Sequence, residues 1–121
     1  MSFSYYYEFK KKGKYKIEYT FNDKLSKTCY MFNDCSSLKY IDLSNFNVQN
    51  VKNMRCMFSN CSSLTKINLS NFNAQNITNM GFFFCGCKSL NNINLSNFNV
   101  QKVTNLYNMF KNCSSFINIK L

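Results

Sequence analysis

Four cysteines, Cys35, Cys61, Cys87 and Cys113, recur at an interval of 26 residues, and thiols so placed could do three kinds of chemistry. They could pair as disulfides between neighbouring copies, hold a metal, or pack as small apolar groups. If equivalent residues lie one strand spacing apart, about 4.8 Å, their separation falls inside the range that a disulfide spans. In-register side chains, however, point the same way, whereas a disulfide needs them turned toward each other. Zinc is poorly served. Cys85-x-Cys87 is a single close pair, to be completed by Cys61 or Cys113, and the chain has no His. Buried free thiols are the expected state, and no metal site is assigned. Cys29, Cys56 and Cys85 fall off the ladder and are expected to be exposed and open to oxidation.

Catalytic chemistry is hard to assemble from the remaining residues. With no His, five acidic residues and no glycine-rich phosphate loop, neither an acid–base pair nor a nucleophile beside a base is visible. The chain is expected not to be an enzyme and to use no cofactor and no small-molecule substrate. Asparagine is abundant, with 21 copies. The Asn45, Asn71, Asn97 column, preceded by Ser44, Ser70 and Ser96, has the look of a glycan stripe. Turn chemistry explains it better, because backbone groups leaving a strand need partners and Asn side chains supply them. The net charge of +10 favours polyanions at long range. Its densest part is the run Lys10, Lys11, Lys12, Lys14 and Lys16, which could contact phosphates or acidic lipid head groups or form a solvated turn.

The elements that must position these residues follow from the 26-residue period. Copies run 31–56, 57–82 and 83–108, with a half copy at 109–121, and equivalent positions form ladders that stay apolar. Phe32, Phe58, Phe84 and Phe110 make one. Ile41, Ile67, Ile93 and Ile119 make another. A fixed period of this length is the signature of stacked copies that share one continuous core. The alternation in Ile67-x-Leu69 predicts strands over 40–43, 66–69, 92–95 and 118–121, paired in parallel. Residues 73–84 space Ile77, Met80, Phe83 and Phe84 by three and four, which predicts a helical or 3₁₀ segment begun by Asn73 as an N-cap. Ahead of the copies, the alternation of Phe3, Tyr5, Tyr7 and Phe9 and of Tyr15, Ile17, Tyr19 and Phe21, with Gly13 between, predicts a β-hairpin. The organisation expected is a cap with a degenerate first rung at 1–30, then three and a half repeats at 31–121. No segment is apolar enough for a membrane span, and the first residues are not expected to act as a signal peptide.

The run Leu64-x-x-Ile67-x-Leu69-x-x-Phe72 resembles the core of a leucine-rich repeat. Met57-Phe58-x-x-Cys61-Ser62-Ser63-Leu64, with Leu69-Ser70-Asn71-Phe72, is similar to the BspA-like subfamily over 31–121. That resemblance implies an α/β solenoid, a right-handed stack of short parallel strands with helical or 3₁₀ convex segments. It also implies a surface or secreted, adhesin-like role.

The expected function is contact with another protein, with self-association as the alternative and polyanion attachment as a further one. A partner protein would meet the outward strand positions Tyr40, Asp42, Lys66, Asn68, Asn92, Asn94, Asn118 and Lys120. Self-association would use the last rung, where Phe116, Ile119 and Leu121 form a possible stacking end for another copy. A polyanion would meet the lysine run. The sequence does not specify a compartment.

Overall fold

The computed structural model describes residues 26–115 and 118–120. The hairpin expected within the first 25 residues, together with Lys10, Lys11, Lys12, Lys14, Lys16, Phe116 and Leu121, lies outside the described residues.

Four three-residue strands are present: β1 (Tyr40–Asp42), β2 (Lys66–Asn68), β3 (Asn92–Asn94) and β4 (Asn118–Lys120). Each is one residue shorter than the alternation predicts. β1 pairs in parallel with β2, placing Ile41 against Ile67, and β3 pairs in parallel with β4, placing Ile93 against Ile119. β2 and β3 do not pair, so there are two separate sheets of two strands. Isolated parallel bridges join Asn53 to Asn79 and Asn79 to Asn105.

This corrects the expected leucine-rich-repeat-like α/β solenoid with helical or 3₁₀ convex segments. Among the described residues there is no helix of any kind, and the regular structure is four short strands in two small sheets. The hydrogen bonds of residues 73–87 show why. The amides of Met80, Phe82, Phe84 and Gly86 donate to the carbonyls of Asn105, Tyr107, Met109 and Lys111, in the next copy. The amides between them, of Phe83, Cys85 and Cys87, donate three residues back, to Met80, Phe82 and Phe84. A helix needs successive amides to bond within the segment, and here every second one bonds outside it. Consecutive turns closed at i−3 bring residues three and four apart onto one side, as a helix does. The apolar spacing therefore fits both conformations. Asn73 is no helix cap either: its Oδ1 accepts the Gln75 amide at 3.0 Å in a tight local turn.

The turns require left-handed backbone at two positions in each copy. One column holds Asp34, Asn60, Gly86 and Asn112, with φ from 60° to 76°, all residues that tolerate this conformation at little cost. The other holds Tyr30, Cys56, Phe82 and Asn108, with φ from 54° to 59°. Three of those four are poorly suited to it, at roughly 1–3 kcal/mol each.

The core is built from the ladders. Phe32, Phe58, Phe84 and Phe110 stack ring on ring, with centroids 5.3, 5.9 and 5.8 Å apart and planes within 17° of parallel. Phe72 and Phe98 form a second stacked pair at 5.1 Å, and Phe83 meets Phe58 and Phe84 edge-on at 5.4 and 4.5 Å. Offset stacked and edge-to-face contacts both suit the aromatic quadrupole. Around these rings Val51, Met54, Met57, Leu64, Ile77, Met80 and Leu90 are fully buried. Among the described side chains no buried polar atom lacks a hydrogen-bond partner.

Candidate functional site

The outward residues of the four strands divide into two columns that behave differently. The second column is Asp42, Asn68, Asn94 and Lys120, and the side chains of the first three fold back onto their own chain. Their Oδ1 atoms accept the amides of Ser44, Ser70 and Ser96 at 2.9, 3.1 and 3.0 Å. Hydrogen bonds from the Ser44 hydroxyl and amide hold the Asp42 carboxyl below the usual carboxylate range. The turn role expected of Asn45, Asn71 and Asn97 is thus carried mainly by residues that the strand alternation marks as contacts. Of that expected trio, Asn97 bridges copies, its Nδ2 donating to the Ser70 carbonyl at 2.7 Å. The same local turn recurs at Asn47, Asn73 and Asn99 and at Asn53, Asn79 and Asn105.

The first column, Tyr40, Lys66, Asn92 and Asn118, is exposed. Tyr40 is 51% exposed, its hydroxyl lies 3.5 Å from Asp42 Oδ2, and the Lys66 ammonium sits 6.0 Å from its ring centre. Lys66, Asn92, Asn118 and Lys120 meet at the break between β2 and β3. There they line a depression of about 410 Å³ whose walls also include Ile67 and Asn94. Side-chain bridges link the two copies on either side of the break in sequence: Ser89 Oγ donates to the Ser62 carbonyl at 2.6 Å, and Asn97 to Ser70. Two ammonium groups and several amides face this space, and no carboxylate lines it. Its chemistry suits an anionic or hydrogen-bonding group presented by a partner.

The cysteine ladder lies in the interior. Cys61, Cys87 and Cys113 donate their thiols to the carbonyls of Phe32, Phe58 and Phe84 at 3.1, 3.1 and 3.0 Å. Burial pushes the Cys61 thiol up to about 12 and the Cys113 thiol up to about 11, and it raises Cys35 and Cys87 as well. All seven cysteines are free. Among the described residues no group of three His, Cys, Asp or Glu side chains could hold a metal ion. Of the three off-ladder cysteines, Cys29 and Cys85 are half-buried and Cys56 is buried, contrary to the exposure expected of it.

Ile119 of the expected stacking end is 38% exposed on β4. One cluster escapes the strand alternation altogether. Arg55 lies over the Phe82 ring and reaches the Tyr30 hydroxyl, while Tyr107 meets Phe82 edge-on. The available signal is that the column Cys29, Arg55, Gly81, Tyr107 changes identity in every copy.

A family model described as Mycoplasma protein of unknown function, DUF285, matches residues 13–121. The chain belongs to the DUF285 family. The match corrects the resemblance to BspA-like leucine-rich repeats, because the model that takes in the repeats is DUF285 and no leucine-rich-repeat family matches. No curated protein and no solved structure matches this DUF285 chain.

Proposed function

We propose that this DUF285 chain is a non-enzymatic module that binds another protein through its outward strand face. The observation that carries this reading is the depression between β2 and β3, formed by side chains of successive copies. Lys66 and Lys120 supply positive charge there, Asn92 and Asn118 supply amide donors and acceptors, and Ile67 and Ile93 supply an apolar floor. Tyr40 stands beside it as the exposed aromatic side chain of the strands. Charged and polar groups so arranged give specificity and steer association, while an aromatic at the edge adds contact area. Asp42, Asn68 and Asn94 hold the turns in shape beside these groups.

Photo-cross-linking tests the proposal directly. A photoreactive phenylalanine analogue replaces Tyr40, and the protein is irradiated in extract of the cells that make it. The expected result is a discrete protein adduct that disappears when Lys66→Glu and Lys120→Glu are added. An adduct pattern unchanged by those two substitutions would remove the strand face as the contact surface.

A further inference from the structure

Four side chains from outside the strands come together. Arg55 is the only arginine in the chain. Its guanidinium carbon lies 4.7 Å from the centre of the Phe82 ring, and its Nε–H is directed at the Tyr30 hydroxyl, 3.5 Å away. Tyr107 meets the Phe82 ring edge-on at 5.4 Å, with an interplanar angle of 71°. Gly81 is the residue between Arg55 and Tyr107 in their column and carries no side chain. Tyr30 is 54% exposed and Tyr107 65%.

Folding alone does not call for this cluster. Tyr30 and Phe82 occupy the left-handed column in which Asn108 is the inexpensive occupant, and the second such column is filled by Asp34, Asn60, Gly86 and Asn112. Holding aromatic residues there costs stability and places their rings beside Arg55 at the surface. Tyr and Arg are also the residue types that dominate binding energy at protein contacts.

We propose that Tyr30, Arg55, Phe82 and Tyr107 form a second docking surface, for a protein segment that presents a carboxylate beside an aromatic or aliphatic side chain. Beyond the Nε–H directed at Tyr30, the guanidinium over the Phe82 ring carries four further N–H groups, and these can meet a carboxylate. The surrounding field favours a negative group: Asp34 and Asp42 are the acidic residues among those described, and the chain as a whole carries +10. Single-stranded nucleic acid fits less well. Its bases need open aromatic faces, and Phe82 is already engaged by Arg55 and Tyr107. This surface shares no residue with the depression at the strand face, so either can fail without the other.

The test is a random peptide library displayed on phage and panned against the full chain, with the affinity of enriched peptides then measured by fluorescence polarisation. Enriched peptides should carry Asp or Glu next to an aromatic or aliphatic residue. Arg55→Ala and Tyr107→Ala should each weaken them at least tenfold, Arg55→Lys should weaken them too, and Lys66→Glu should leave them unchanged. Tyr107 is exposed, so its replacement keeps the core intact, and circular dichroism melts verify this for each variant. Absence of enrichment, peptides without acidic residues, or affinities unmoved by Arg55→Ala and Tyr107→Ala would overturn the proposal. Binding lost only in Lys66→Glu would overturn it too, returning the peptide to the strand face. Preferential displacement of the peptides by oligothymidine would overturn it in favour of nucleic acid.

Discussion

Cys87 donates its thiol to the carbonyl oxygen of Phe58, 3.1 Å away and 29 residues earlier in the chain. The same carbonyl accepts the Cys61 amide at 3.2 Å, so one oxygen closes a turn in its own copy and ties down the next. Cys61 on Phe32 and Cys113 on Phe84 repeat the arrangement. The cysteine ladder therefore serves structure: the thiols donate to interior carbonyls of the preceding copy.

This gives a pH dependence with a definite sign. An unfolded thiol ionises near 9.0, whereas in the folded chain Cys61 does so near 12 and Cys113 near 11, with desolvation as the main cause. Below pH 9 the thiols are protonated in both states and their contribution to stability is fully present. Between pH 9 and 12 the unfolded chain releases protons that the folded chain retains, so stability falls as pH rises. The urea midpoint should therefore decline from pH 8.5 to 10.5, and the decline should be shallower in Cys61→Ala. In native protein at pH 8, iodoacetamide should label the half-buried Cys29 and Cys85 before Cys61 and Cys87, as peptide mass spectrometry can show.

Gly86 occupies one of the left-handed turn positions. It has φ +76°, and a Cβ placed there would collide with the side chain of Asn60 in the preceding copy. Gly86→Ala combines a left-handed conformation with a clash and should cost about 1–3 kcal/mol. Asn60→Gly keeps the backbone permissive but loses the hydrogen bond to Asp34, and should cost less. Thermal or urea melts of the two variants check the order.

Asn79 should matter more than its polar character suggests. Its backbone forms bridges to Asn53 on one side and Asn105 on the other, while its Oδ1 accepts the Gly81 amide at 2.9 Å. Asn79→Ala leaves that amide without its side-chain acceptor and should lower stability by about 1 kcal/mol. Asn47→Ala, at an exposed turn of the same kind, should cost less in a matched urea titration.

In the aromatic ladder, Phe58 is fully buried and stacks on both Phe32 and Phe84. Phe58→Ala should cost about 3–5 kcal/mol, a large fraction of the stability of a chain of this size, read as a matching fall in the urea midpoint. Phe110→Leu, at a half-buried position, should be tolerated with a small fall in the melting midpoint.

The interior was largely legible in the sequence because burial follows side-chain spacing. Phe58, Leu64, Leu69, Phe72 and Leu90 recur at one interval and are all buried. The backbone path was not. Residues 73–84 carry an apolar spacing that a helix and a chain of i−3 turns produce alike, and the inter-copy bonds of Met80, Phe82 and Phe84 decide between them. The candidate site was legible in part. Lys66, Asn92, Asn118 and Lys120 do line one depression, whereas Asp42, Asn68 and Asn94 fold their side chains into local turns that the strand alternation does not reveal. The break between β2 and β3 has no sequence mark, because Ile67 and Ile93 continue the same ladder across it. Arg55 and Phe82 meet because consecutive copies offset their turn residues, a relationship that linear spacing hides.

The strand-face claim is tested most directly by affinity. The protein captured at Tyr40 is titrated calorimetrically into wild type and into the Lys66→Glu, Lys120→Glu double variant, with melting curves showing that both are folded. Reversing both charges at the depression should weaken binding at least tenfold, with little change in stability, since both lysines are exposed. Equal affinity for the two proteins would contradict the account.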